Sequence, residues 1–205
     1  MKILYIGCGE HFDIIKHFTE CNEFILVDSR PLNQYGYDYY NKQLYNSSFV
    51  NKIITLLKDI EFNLIHTNVL TNEFPEILRQ NLESTKLVFE NGNKKVNYYI
   101  STSIPHHLYL NELKDDIRSC DTLLISGHHP SYQILDYLPP SITFIGYSVT
   151  WYPNPNNFYK DEYNCINAII NKKINVKDFI LVDFTTGVKT HFTNYKEFYD
   201  SKNYI

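Results

Sequence analysis

Lys2-Ile3-Leu4-Tyr5-Ile6-Gly7-Cys8-Gly9-Glu10-His11 and the later stretch Phe24-Ile25-Leu26-Val27-Asp28 decide the fold. The opening run is apolar and aromatic without alternation, which suits a strand buried on both faces. It passes with no spacer into a glycine turn. Phe12, Ile15 and Phe18 then recur at helical spacing, and a second buried strand ends in a carboxylate nineteen residues after Gly9. Strand, glycine turn, helix, strand is the opening of a parallel α/β sheet.

The rest of the chain repeats the theme. Short apolar runs at Phe62–His66, Val96–Ser101, Thr122–Ile125, Ile142–Tyr147 and Phe179–Phe184 read as strands. Helical spacing lies between them, at Val50, Ile53, Ile54 and Leu57, then at Leu108, Leu110, Leu113 and Ile117, then at Ile166, Ile169 and Ile170. The expected architecture is α/β, a mostly parallel sheet with helices on both faces, in one domain spanning 1–205. Asn91-Gly92 marks a β-hairpin inserted near 86–101, ahead of the fourth parallel strand. Thr186-Gly187 turns a pair of antiparallel C-terminal strands. Pro31–Ser48 and Trp151–Tyr159 read as loops over the sheet edge.

The composition, 43% hydrophobic and 20% charged over 205 residues, is that of a globular chain with room for a substantial core. Nineteen basic against 23 acidic residues, net charge −4, leave no strong nucleic-acid footprint. No apolar run approaches the roughly 18 residues of a membrane span. The N-terminus enters a strand without a signal-peptide pattern, so an intracellular, cytoplasmic location is expected. Cys8, Cys21, Cys120 and Cys165 form no CxxC pair and read as reduced thiols. The 18 Tyr and 13 Phe accompany abundant Asn, Ile and Lys and a single alanine, Ala168. These are residues of AT-rich codons, so an AT-rich genome, viral, protist or bacterial, explains the bias. The Tyr35–Tyr40 cluster is accordingly read as packing or pocket rim before base stacking.

The glycine turn and Asp28 together point to a nucleotide, with the carboxylate accepting from the ribose hydroxyls and helix N–H groups aimed at the ligand. The third glycine of the dinucleotide fingerprint falls at Phe12, which argues against NAD and FAD. No Walker loop is present. Ile6-Gly7-Cys8-Gly9 resembles the first motif of the class I S-adenosylmethionine-dependent methyltransferases, and Phe24-Ile25-Leu26-Val27-Asp28 resembles their second, acidic one. Ile65-His66-Thr67-Asn68-Val69-Leu70 resembles the stretch in which that family reaches the adenine, with Asn68 in place of the acid. The resemblance covers roughly the first 130 residues and implies a Rossmann-like sheet, S-adenosylmethionine as cofactor, and Gly7, Cys8, Gly9, Asp28, Ser29, Asn68 and Val69 as its binding residues. Two positions depart from the family: Tyr5 stands where it carries an acidic residue, and His11 where it carries a third glycine.

Ser103-Ile104-Pro105-His106 loosely resembles the motif with which amino-group methyltransferases hold a target amine and stack on its base. The resemblance implies that Ser103 accepts from the amine and His106 stacks, so that positioning does most of the catalysis. Ser126-Gly127-His128-His129-Pro130 adds a second histidine pair, next to His106-His107 and His11. These histidines are read as general bases, as metal ligands, or as polar rim residues. Neither loop supplies the carboxylate a metal site wants, so no metal is assigned. The lysine-centred set of cap 2′-O-methyltransferases is absent. The catalytic candidates are therefore Ser103, His106 and His128, with Pro105 and Tyr35 lining a pocket for a small or nucleoside-like acceptor, and N-methylation is favoured over O-methylation. The competing reading is an inactive methyltransferase-like fold that serves as a scaffold for a protein partner.

Overall fold

The computed structural model describes residues 1–8, 12–28, 46–67, 84–101, 107–125, 134–148 and 155–202, with the backbone alone at the ends of several elements. The strands are β1 (Lys2–Ile6), β2 (Glu23–Asp28), β3 (Asn63–Thr67), β4 (Ser84–Asn91), β5 (Lys94–Ser101), β6 (Thr122–Ile125), β7 (Ser141–Ser148), β8 (Asn175–Asp183) and β9 (Lys189–Phe192). The α-helices are α1 (Asn46–Asp59), α2 (His107–Arg118), α3 (Pro155–Asn171) and α4 (Tyr195–Lys202), and two 3-10 helices span Phe12–His17 and Ile134–Tyr137.

All nine strands join one sheet in the order β3-β4-β5-β2-β1-β6-β7-β8-β9. Its centre, β5-β2-β1-β6-β7-β8, is parallel throughout. β3 and β4 at one end and β9 at the other pair antiparallel. The fold is thus α/β on a mostly parallel, mixed sheet. The side chains of β1 alternate between two apolar layers. Ile3 and Tyr5 share one layer with Ile14 and Ile15 of the first 3-10 segment, with Phe18 just after it, and with Ile53 and Leu57 of α1. Leu4 and Ile6 share the opposite layer with Leu113 and Ile117 of α2 and Ile166 and Ile169 of α3. Four residues of β1, Ile3 to Ile6, are at most 4% exposed. Each side chain so buried contributes about 1.5–3 kcal/mol. Helical elements therefore cover both faces, and β1 is central because it has no polar side to turn outward.

Several expectations need correction. The run near Phe62–His66 is not the third strand of the parallel core: β3 lies at the sheet edge, antiparallel to β4. Its pattern explains this, since Asn63 and Ile65 are exposed on one side while Leu64 is half-buried. The hairpin near 86–101 is present, shifted by one residue. Asn91 pairs with Lys94, so Gly92 and Asn93 form the turn, with Gly92 at φ 59°. Glycine at the first central position with positive φ is the II′ arrangement that matches strand twist. α3 begins at Pro155, inside the stretch read as a loop, because a proline needs no N–H in a first helical turn. α1 likewise takes in Asn46–Ser48. The antiparallel C-terminal pair is present as β8 and β9, and Gly187 in its turn has φ 75°.

Candidate functional site

The chain leaves β1 toward β2 on one side of the sheet centre and later crosses to β6 on the other side of β1. In open α/β sheets, ligands bind beyond the carboxyl ends of the strands at such a reversal. Ile6 is in register with Val27 of β2 and with Ile125 of β6, so the chain segments following all three emerge at one edge.

Gly7 stands at the end of β1 with φ 69° and donates its N–H to the Val27 carbonyl at 2.7 Å. The turn therefore starts while still laced to β2, in a left-handed conformation that glycine adopts without a Cβ penalty. Asp28 is the last residue of β2 and lies one step beyond Val27, level with Gly7, on a strand about 4.8 Å away. The structure thus brings together the first glycine and the acidic residue singled out from sequence. Cys8 is fully buried, in the apolar layer that holds Tyr5 and Phe18, so what it offers a ligand is its main chain. Tyr5 is also fully buried. It lies in the same apolar layer as Cys8.

Gly9, Ser29, Asn68, Val69, Ser103, Pro105, His106, His128 and Tyr35 lie outside the described residues, as do His11 and His129. Their flanking elements are described. Ser103 and His106 belong to the connection from β5, which pairs with β2 through Asp28 and Ile100, to α2, which opens at His107. His128 follows β6, the other neighbour of β1. Asn68 and Val69 follow β3, which two strands, β4 and β5, separate from β2. That is about 14 Å from β2 at ordinary strand spacing.

The helix expected after the glycine turn is a six-residue 3-10 segment. Hydrogen bonds of 3-10 helices are in general less well aligned than those of α-helices, and six residues are too few to sum a macrodipole, so the segment lacks the row of aligned N–H groups of a long α-helix. Sequence reasoning missed Asp183, at the carboxyl end of β8 on the same sheet edge. Its Oδ1 accepts the Thr186 and Thr185 amides at 2.7 and 2.9 Å, which holds its carboxyl below the usual range. Those bonds spend it on the β8–β9 turn. Among the described residues, no cluster of three or more His, Cys, Asp or Glu side chains is arranged to hold a metal, and no helix is long and apolar enough to cross a membrane. No protein-family model matches the chain, and no curated protein matches it.

Proposed function

We propose that the chain binds S-adenosylmethionine at the carboxyl edge of β1 and β2, in a Rossmann-like arrangement, and transfers its methyl group to an amino nitrogen of a small or nucleoside-like acceptor. The observation that carries this reading is the juxtaposition of Gly7, in the left-handed conformation and laced to Val27, with Asp28 at the end of the neighbouring strand. A carboxylate at that position accepts from both ribose hydroxyls, and Gly7 and Gly9 let the main chain approach the nucleoside. The short 3-10 segment supports a phosphate-free nucleoside over a dinucleotide, whose pyrophosphate sits on a helix N-terminus. Phe12 at the position of the third fingerprint glycine supports the same choice.

When bound, the cofactor supplies an electrophilic methyl group on sulfur. Asp28 and Ser29 orient its ribose, and the main chain of Gly7, Cys8 and Gly9 packs along it. A nucleoside with its ribose over β2 extends its base toward β5 and its reacting end toward β6, because these strands flank the β2–β1 pair. This favours Ser103 and His106, which follow β5, on the base side, and His128, which follows β6, on the reacting side. Asn68 and Val69, whose strand is at the edge, are then weaker candidates for the adenine than Ser103. Neutral His128 takes the proton that the acceptor amine releases, so the amine lone pair stays available to the methyl carbon. No metal enters the reading.

A second reading, a nucleoside-binding or scaffold module without transfer that works through a protein partner, is favoured by Tyr5. Its side chain is core where the family carries an acid. Calorimetric titration with S-adenosylmethionine, S-adenosylhomocysteine and NAD separates the cases. Micromolar binding of the first two and none of NAD supports the proposal. Binding without turnover of small amines or nucleosides favours the second reading. Absence of binding by either sulfur nucleoside overturns the cofactor assignment.

A further inference from the structure

The 3-10 segment Phe12–His17, which follows the glycine turn, is six residues long and cannot hold itself in place. Its inner side is anchored by Ile14 and Ile15, followed by Phe18 just past its end, in the core layer that also holds Val182 of β8. Its far end is gripped by the β8–β9 turn. The His17 ring fills the space a side chain at Gly187 would need: a Cβ there would lie 2.3 Å from Nδ1 and 2.7 Å from Cγ. His17 Nε2–H donates to the Phe184 carbonyl at 3.1 Å. Lys189 donates to Glu20 Oε1 at 2.6 Å and holds its ammonium 4.3 Å from the centre of the Phe18 ring. The turn is itself closed by Gly187 N–H donating to the Asp183 carbonyl at 2.8 Å and by the two amide bonds to Asp183 Oδ1. Because β8 runs parallel to β7, this turn springs from the same sheet edge as Gly7 and Asp28.

From this we infer that the C-terminal hairpin is a strap that positions the glycine turn. His17, Gly187 and Lys189 act on nucleoside binding through the 3-10 segment without touching the ligand. The inference rests on the nucleoside reading of Gly7 and Asp28 for its functional consequence, and on described contacts alone for its structural part. Few residues separate Gly7 from Phe12, so a shift of the 3-10 segment is passed to the turn. The contacts at stake are specific: a ring seated where only glycine leaves room, and a lysine shared between a carboxylate and an aromatic face.

The test is a double-mutant cycle on the full chain. Asn tolerates the left-handed backbone of position 187 but brings a Cβ, so Gly187→Asn isolates the collision with His17, and His17→Ala removes the ring it strikes. Hydrogen exchange is read without ligand on peptides covering residues 7–18 and, as controls, α2 and β6. Gly187→Asn is expected to speed exchange of the 7–18 peptide by about tenfold with the controls unchanged. It is also expected to weaken S-adenosylmethionine binding by about tenfold, and adding His17→Ala to Gly187→Asn should recover part of both. Equal acceleration in all peptides would make the hairpin a general stabiliser and overturn the strap. So would selective exchange with unchanged affinity in a wild type that binds. Failure of the wild type to bind removes the nucleoside reading instead, and the exchange cycle then decides the strap by itself.

Discussion

Tyr99 on β5 donates its hydroxyl to Asp116 of α2 at 2.5 Å, and this bond fixes the helix against the sheet. Lys86 of β4 reaches the same carboxylate oxygen at 3.4 Å, and Lys2 of β1 reaches the other at 3.5 Å. The chain enters α2 directly after the connection that carries Ser103 and His106, so the anchorage bears on where that connection ends. Burial raises the Asp116 pKa, but the Tyr99 hydroxyl and the two lysines outweigh it and hold the carboxyl below its ordinary value.

The first prediction follows from that balance. A depressed folded-state pKa contributes stability that is complete above the ordinary aspartate value of about 4 and is lost as pH falls through the depressed one. Asp116→Asn should therefore destabilise the chain by about 1.5–3 kcal/mol at pH 7, the range for hydrogen bonds to a charged group. The gap to the wild type should shrink as the carboxyl protonates. Urea melts at pH 7 and pH 3 measure it, and an equal gap at both would remove Asp116 as an ionised anchor.

Asp28→Ala should weaken S-adenosylmethionine binding by about 2–4 kcal/mol, as loss of two charge-assisted hydrogen bonds does. Thermal melting of the variant checks that the sheet is intact. Unchanged affinity in calorimetry would take Asp28 out of the site and the ribose with it.

If His128 is the base, its imidazole must be neutral, so the methylation rate should fall as pH drops through about 6.5. His128→Asn should flatten the profile at a reduced rate. A wild-type rate constant from pH 5.5 to 8 would return His128 to the rim.

Burial pushes the Cys21 thiol up to about 11 and the Cys120 thiol up to about 12, and Cys8 and Cys165 are buried as well. None should react with a disulfide reagent within minutes at pH 8, and all four should react after unfolding in guanidinium. A fast native thiol that maps to Cys8 would mean that the glycine turn opens in solution.

Much of the architecture was legible as local pattern. β1 matches its reading residue for residue, since an uninterrupted apolar run has only one use in a chain of this kind. The hairpin was marked by Asn91-Gly92, and only the choice of central residues was off by one, because both Gly92-Asn93 and Asn91-Gly92 are good turn pairs. What was legible of the candidate site is what depends on backbone conformation and chain position, the adjacency of Gly7 and Asp28 at the ends of β1 and β2. That the Cys8 side chain belongs to the core layer of Tyr5 was not legible, because a small side chain beside two glycines looks like part of the turn. Nothing local marks Gly187 as the seat of a histidine 170 residues earlier in the chain.

The residues alone specify which segments are strands, where the turns need positive φ, and that a glycine turn and a carboxylate follow the first two strands. These are properties of single segments, governed by periodicity, Cβ sterics and the exclusion of charge from buried runs. The neighbours of each strand were settled by packing between distant segments. β3 went to the edge and β5 took the place beside β2, so the strand that precedes Asn68 is remote from β2 and the strand that precedes Ser103 adjoins it. Apolar strands of similar length can pair in many orders with little local preference. The order that prevails is the one in which every apolar face is covered, and that is a property of the assembled layers.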